Sequence, residues 1–330
     1  MKVLFIGGTG IISSACSKLA VERGIELYLL TRGKSLRGMV PGARSLRGDM
    51  RDPQSVRSAL ANLTFDSVVD WIAYTPDQIE ADIDLFRGRT EQYVFISSAS
   101  AYQKPAHVLP VTESTPLDNP IWRYSQNKIA CEERLLRAQR EERFPFTIVR
   151  PSHTYDPTYV PVEGGWTVID RMLRGKPVIV HGDGSSLWTL THNADFAKGF
   201  VPLLGNPRAI GDAFHITSDE WLTWNQIYEL LAHATGVKPQ LVHVPSDLIA
   251  AYDAPLGDTL LGDKTHNGIF DNSKIKHLVP EFCATIPFAR GAEQVIAAHR
   301  ANPALQVVKP AYNDLCDRIL SAYLGAFPKA

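Results

Sequence analysis

The sequence predicts an α/β protein: a doubly wound parallel sheet covered by helices, with a smaller C-terminal α/β lobe. Three observations predict it. The first half alternates short, continuous apolar runs with helical stretches, and strands apolar on both faces belong to parallel sheets covered on both sides. A glycine-rich turn, Gly7-Gly8-Thr9-Gly10, stands between the first run and the first helix. After Pro151 the texture changes, and turn-rich segments such as Tyr155-Asp156-Pro157 and Val162-Glu163-Gly164-Gly165 separate short elements. The expected division is residues 1–155 for the sheet domain and 156–330 for a lobe interleaved with the last sheet strands.

In chain order, Val3-Leu4-Phe5-Ile6 reads as a buried strand and Ala15 to Arg23 as a helix. Leu27 to Leu30 is the second strand, and Ser55 to Asn62 a helix whose N-cap is Asp52, with Pro53 at its first position. Ser67 to Ile72 and Tyr93 to Ile96 are further strands. A long helix from Tyr124 to Arg143 precedes the strand Phe146 to Arg150. Beyond it, Val178 to Val180 and Ala213 to Ile216 read as strands, and Trp224 to Gly236 as an amphipathic helix capped by Thr223.

Composition excludes several classes. The 330 residues are 45% hydrophobic and 21% charged, with a formal charge of -1. This is an ordinary globular chain with no electrostatic footprint for nucleic acid or an anionic membrane. Cys16, Cys131, Cys283 and Cys316 are scattered without metal spacing, so reduced structural thiols and no metal are expected. The apolar run after Met1-Lys2 breaks too soon at Gly7 for a signal peptide, and no segment reaches the roughly 20 apolar residues of a membrane span. A cytoplasmic protein is expected.

Gly7, Thr9, Gly10, Ile11 and Ile12 lie where a backbone turns tightly from strand to helix. Free N–H groups and the helix dipole there bind a pyrophosphate, so residues 1–155 read as a dinucleotide-binding domain. Ser13 stands where a third glycine is usual and is small enough to keep helix and strand close. The second strand ends Leu30-Thr31-Arg32-Gly33-Lys34. An arginine there pairs with a 2′-phosphate, which points to NADP, with NAD as the alternative. Asp49, after the next short strand, is placed to accept from an adenine amino group. Tyr124 and Lys128 share one helix face, so an ammonium can tune a phenol for proton transfer.

Together, Gly-Gly-Thr-Gly, Ser98 after a strand, Tyr124-x-x-x-Lys128 and Arg150-Pro151-x-x-x-Tyr155 resemble the short-chain dehydrogenase/reductase superfamily, in its extended, epimerase/dehydratase-like branch. The resemblance runs from Met1 to about Gly236. It implies a Rossmann-type sheet, a nicotinamide cofactor and a Ser-Tyr-Lys set. Tyr124 then matches the acid/base, and Lys128 the partner that lowers the phenol pKa and binds the nicotinamide ribose. Counting back from Tyr102 gives Ser98 as the hydroxyl polarising the substrate oxygen, with Ser97 and Ser100 as alternatives. Tyr74 is expected beside the nicotinamide. A homodimer through the tyrosine-bearing helix and its neighbour is also implied.

Departures narrow the substrate. Ala99 and Ser100 replace the Asp-Glu that the branch's 4,6-dehydratases carry after the serine. Trp188 replaces the arginine that pairs with a nucleotide-sugar diphosphate. An indole cannot neutralise that charge, but it either stacks on a sugar ring or packs. Arg123, Arg171 and Arg174 remain for an anionic substrate. His153 and His192 read either as groups facing the substrate or as structural histidines. The expected activity is an oxidoreductase or epimerase moving hydride at a C–O centre of a carbohydrate-like small molecule. The alternative is a non-catalytic nucleotide- or RNA-binding protein on the same fold.

Overall fold

The computed structural model describes residues 1–33 and 38–328. Lys34, the end of the second-strand motif, lies outside the described residues. The first half lays down β1 (Lys2–Ile6), α1 (Ile11–Glu22), β2 (Glu26–Thr31), β3 (Arg44–Arg47), α2 (Pro53–Leu60), β4 (Ser67–Asp70), α3 (Pro76–Phe86), β5 (Tyr93–Ile96), α4 (Arg123–Glu142) and β6 (Phe146–Pro151).

These strands and Ala213–Ile216 form one seven-stranded sheet in the order Ala213–Ile216, β6, β5, β4, β1, β2, β3. Every pairing in it is parallel. Val3, Leu4, Phe5 and Ile6 are all fully buried, because one apolar cluster covers each face of the sheet. The chain leaves β1 toward β2 and β3, then returns to β4 on the other side. This reversal puts the topological switch point between β1 and β4, where open α/β sheets bind ligands at their carboxyl ends.

Local chemistry sets the helix starts. Asp52 caps α2 through the amides of Gln54 (3.1 Å) and Ser55 (3.2 Å), and Thr223 caps the helix Trp224–Thr235, which ends at Gly236 with φ +84°. The helix α3, which the sequence reading lacks, starts with Thr75 as N-cap, Pro76 in its first turn and Gln78 accepting from the Tyr74 amide at 2.6 Å. The first helix begins at Ile11, four residues earlier than the periodicity alone suggests, because Ser13 Oγ accepts the Gly10 amide at 2.8 Å. Beyond β6, the chain builds two-stranded pairs and a helical cluster that includes Phe288–Ala301 and Pro310–Gly325. This part folds around its own apolar core of Trp166, Trp224, Tyr228 and Phe288. No described helix is long and apolar enough to cross a membrane.

Candidate active site

The glycine turn sits at the switch point. Gly7 and Gly8 hold φ of +99° and +88°, and a Cβ on Gly8 would lie 2.6 Å from Leu29 Cδ2, so only glycine keeps this turn close to the sheet. The turn is fixed by its neighbours. Ser17 Oγ donates to Gly8 O at 2.8 Å, and Asn193 Nδ2 donates to Ile11 O at 2.8 Å. Thr9, Ile11 and Ile12 thus surround a helix N-terminus whose first amides have no intrahelical acceptor. A bare backbone cradle of this kind fits a dinucleotide pyrophosphate.

The residues expected around the rest of that ligand fall along the same sheet edge. Thr31 closes β2, and its Oγ1 accepts the Gly33 amide at 3.2 Å, while Arg32 is exposed beside it. Asp49 follows β3 and accepts the Arg51 amide at 3.1 Å. Tyr74 follows β4, half exposed, with its ring 6.1 Å from that of Tyr124.

Tyr124 lies in the first turn of α4, and Lys128 one turn further in. Lys128 is 2% exposed and donates to Ala73 O and Ile96 O, each at 2.7 Å. Burial lowers it to about 8, while Cys131, Asp70 and Glu132 favour its charge. Tyr124 departs from expectation. Burial pushes the phenol up to about 12, Tyr74 and Asp263 add to this, and the neighbouring Ser98 hydroxyl offsets part of it. Burial thus keeps the phenol protonated, and Lys128 spends its N–H groups on backbone carbonyls rather than on Tyr124.

Side-chain direction sets Ser97 apart from Ser98 and Ser100, which both line the cavity. Ser97 is buried under α4 and donates to Glu132, whose carboxylate also holds Arg150 through Nε at 3.0 Å. Ser98 caps the short turn Ala99–Ala101 and lines the cavity with Tyr124. Ser100 is also there, 2.9 Å from Ser98 Oγ and accepting from Ser125 Oγ at 2.7 Å. Asn119 escaped the sequence reading. Its Nδ2 donates to Ser100 O (3.0 Å) and Gly262 O (2.7 Å), and its Oδ1 accepts the Trp122 amide at 3.0 Å. It fastens the serine turn to the start of α4.

Next to these groups lies a cavity of about 230 Å³ whose walls include His153, Trp188, Lys104, Glu163, Asp263 and Lys264. Trp188 is 6% exposed and donates its indole N–H to His153 Nδ1 at 3.2 Å. His153 is lowered to about 3, first by burial and then by Lys264, so it is a neutral wall residue rather than an acid/base near pH 7. His192 does not reach the cavity. It caps the helix Asn193–Phe200, its Nδ1 accepting from Ala194 at 3.1 Å, so the substrate role considered for it is corrected to a structural one. Arg171 is buried against Asp317 at 2.7 Å and Arg174 pairs with Asp170 at 2.9 Å, which leaves neither for a substrate anion.

A parallel sheet of this order with a glycine turn at its switch point defines a Rossmann-type α/β fold. The chain belongs to the NAD dependent epimerase/dehydratase family, which it matches over residues 3–217, within the extended short-chain dehydrogenase/reductases. Among curated relatives, the chloroplast stem-loop binding protein of 41 kDa b from Arabidopsis thaliana is 30% identical over 73% of this chain and 65% of its own length. The chain therefore spans slightly under two thirds of that relative. The 2'-dehydrokanamycin reductase of Streptomyces kanamyceticus is 25% identical over 86% of this chain and 80% of its own. Among solved structures, an epimerase from Methanothermobacter thermautotrophicus has a TM-score of 0.76 at 17% identity, covering 92% of this chain and 94% of that one. UDP-glucose 4-epimerase from Thermotoga maritima, solved with UDP-glucose, has a TM-score of 0.73 at 20% identity, covering 92% and 100%. At these identities the likeness is one of fold.

Proposed function

We propose that this protein is an NAD(P)-dependent oxidoreductase that works chiefly as a reductase on a carbonyl of a compact carbohydrate-like molecule. The observation that carries the reading is the convergence of Tyr124 and Ser98 on one cavity, with Lys128 one turn behind. The cofactor is held by the Gly7–Ile12 turn, Thr31, Arg32, Asp49, Tyr74 and Lys128, with Arg32 favouring NADP. When bound, the nicotinamide supplies the hydride that adds to the carbonyl carbon.

The chain's own residues then handle the oxygen. Ser98 donates a hydrogen bond to it, and Tyr124 passes its proton to it as negative charge develops. The phenolate so formed is stabilised by the Lys128 ammonium and regains its proton from solvent. Burial raises the phenol to about 12, so it stands protonated at neutral pH, the form from which a reduction starts. A relative named as a reductase supports that direction. The missing arginine at Trp188 and a cavity of about 230 Å³, below the roughly 300–1,000 Å³ of drug-sized sites, support a compact substrate over a nucleotide sugar.

The test is turnover of reduced cofactor against a panel of ring ketones and keto-sugars. Consumption with a member of the panel is expected in the wild type, and its absence with every member overturns the reading. A second reading, RNA binding without catalysis, draws on the name of the Arabidopsis relative. A mobility shift with stem-loop RNA that survives physiological salt, together with no turnover, is the outcome that favours it. A homodimer through α3 and α4 and two-part domain organisation at residue 155 belong to the same proposal, and sedimentation checks the first.

A further inference from the structure

Four charged side chains from three separate segments meet in the cavity wall beside Tyr124. Lys104 Nζ lies 3.0 Å from Asp263 Oδ1, with their side chains 5% and 10% exposed. Lys264 Nζ lies 3.2 Å from Glu163 Oε1, with their side chains 10% and 35% exposed. All four line the same cavity as Ser98 and Tyr124. A buried ion pair such as Lys104–Asp263 is a costly way to build a wall and weak evidence of a stabilising role.

The segment carrying Asp263 and Lys264 is rigidly built. It is a single π-helical turn, Leu260–Lys264, a form frequent at functional sites. The Lys264 carbonyl accepts from Trp224 Nε1 (3.0 Å), His181 Nε2 (3.1 Å) and Ser186 Oγ (3.3 Å). Burial keeps His181 neutral, so the nitrogen on that carbonyl carries the ring proton. Gly262 lets the turn approach α4: a Cβ there would lie 2.8 Å from Trp122 Cβ, and Asn119 ties its carbonyl to the serine turn. The indole faces of Trp188 and Trp122 flank the two ammonium groups at 5.9 and 5.5 Å.

We propose that Lys104, Asp263, Lys264 and Glu163 form a hydroxyl-reading wall that selects a neutral polyhydroxylated ring over phosphorylated, carboxylated, aminated or nucleotide-linked forms. The proposal rests on the oxidoreductase reading and names its substrate class. Each ammonium has one carboxylate partner and further N–H groups to give, and each carboxylate has further lone pairs. A hydroxyl both donates and accepts, so it fits between the members of such a pair. A phosphate or carboxylate only accepts, and it would bring its charge against Asp263 and Glu163. An ammonium only donates, and it would meet Lys104 and Lys264. The four charges sum to zero, so the wall favours neither sign.

The test is calorimetry on the full-length protein saturated with reduced cofactor. The probes are neutral hexoses and cyclitols set against glucose 6-phosphate, glucuronate and glucosamine. The wild type is expected to bind at least one neutral probe about 10-fold or more tighter than any charged one. Asp263→Asn is expected to weaken the neutral probe by about 10-fold and to narrow the gap to glucuronate, since it frees Lys104. Asp263→Glu restores part of the preference, and the paired Lys104→Met/Asp263→Leu variant abolishes it while leaving no lone buried charge. A charged probe binding best in the wild type, no neutral probe binding, or an unchanged ranking in Asp263→Asn each overturns the proposal. The same series run in Tyr124→Phe separates the two readings: turnover lost with the ranking kept bears on Tyr124, and a lost ranking bears on the wall.

Discussion

Lys128 stands one turn behind Tyr124, yet its ammonium lies 5.8 Å from the centre of the phenol ring and donates instead to the carbonyls of Ala73 and Ile96. The pair is thus arranged as a donor phenol with a charge held in reserve. The ammonium is fixed by backbone and does not compete for the phenol's proton.

That arrangement sets a pH dependence. Lys128 falls from 10.5 to about 8 through burial, so its charge is lost as pH rises through about 8. The rate of ketone reduction is expected to decline above that pH in a single-proton step. Stability moves the other way. Between about pH 8 and 10.5 the unfolded chain binds more protons at this position than the folded one, so the contribution of Lys128 to the unfolding free energy rises with pH there. Denaturant titrations across that window are expected to show the stability of the wild type rising relative to that of Lys128→Met as pH increases. His153, held neutral, adds no inflection between pH 5 and 7.

Asn119→Ala removes one buried side chain that serves the Ser100 carbonyl, the Gly262 carbonyl and the start of α4. A loss of about 1–3 kcal/mol is expected from the groups left unpaired. Because the serine turn and Tyr124 then lose their common anchor, kcat is expected to fall further than stability alone explains. Chemical denaturation and steady-state rates on the same sample check both.

Arg150 and Glu132 form a two-pronged pair that is 5% and 1% exposed, with Ser97 as its third member. Arg150→Ala leaves the buried Glu132 carboxylate without its counter-charge and with Ser97 still donating to it, and a cost of roughly 3–5 kcal/mol is expected by denaturant unfolding. Replacing both partners with apolar residues is expected to recover most of it.

The sheet is legible in the sequence for a physical reason. Strands buried on both faces, such as Tyr93–Ile96, are unbroken apolar runs, and that run is recovered at its observed limits. The helix α3 is missed although Thr75, Pro76 and Gln78 form a readable N-terminus. The cavity wall is a different case. Lys104, Glu163 and the Asp263–Lys264 turn lie far apart along the chain, and nothing local marks them as neighbours. His192 reads like a site residue because it precedes a helix at a strand's end, and that position is why its ring is spent as a cap.

Arg32 carries the cofactor preference in this account. Arg32→Asp is expected to raise the dissociation constant for NADP(H) by about 10-fold or more and to improve NAD(H), as an acidic group at this position takes the ribose 2′-hydroxyl. Equilibrium fluorescence titration with each reduced cofactor reads the change.

The central claim is that Tyr124 is the proton donor for hydride transfer. The direct measurement is a single turnover with 4-deuterated reduced cofactor and a ring ketone accepted by the wild type, comparing wild type with Tyr124→Phe. Deuterium is expected at the carbinol carbon of the wild-type product. The rate in Tyr124→Phe is expected to fall by about 10²–10⁴-fold with cofactor affinity unchanged. Equal single-turnover rates in the two proteins contradict the account.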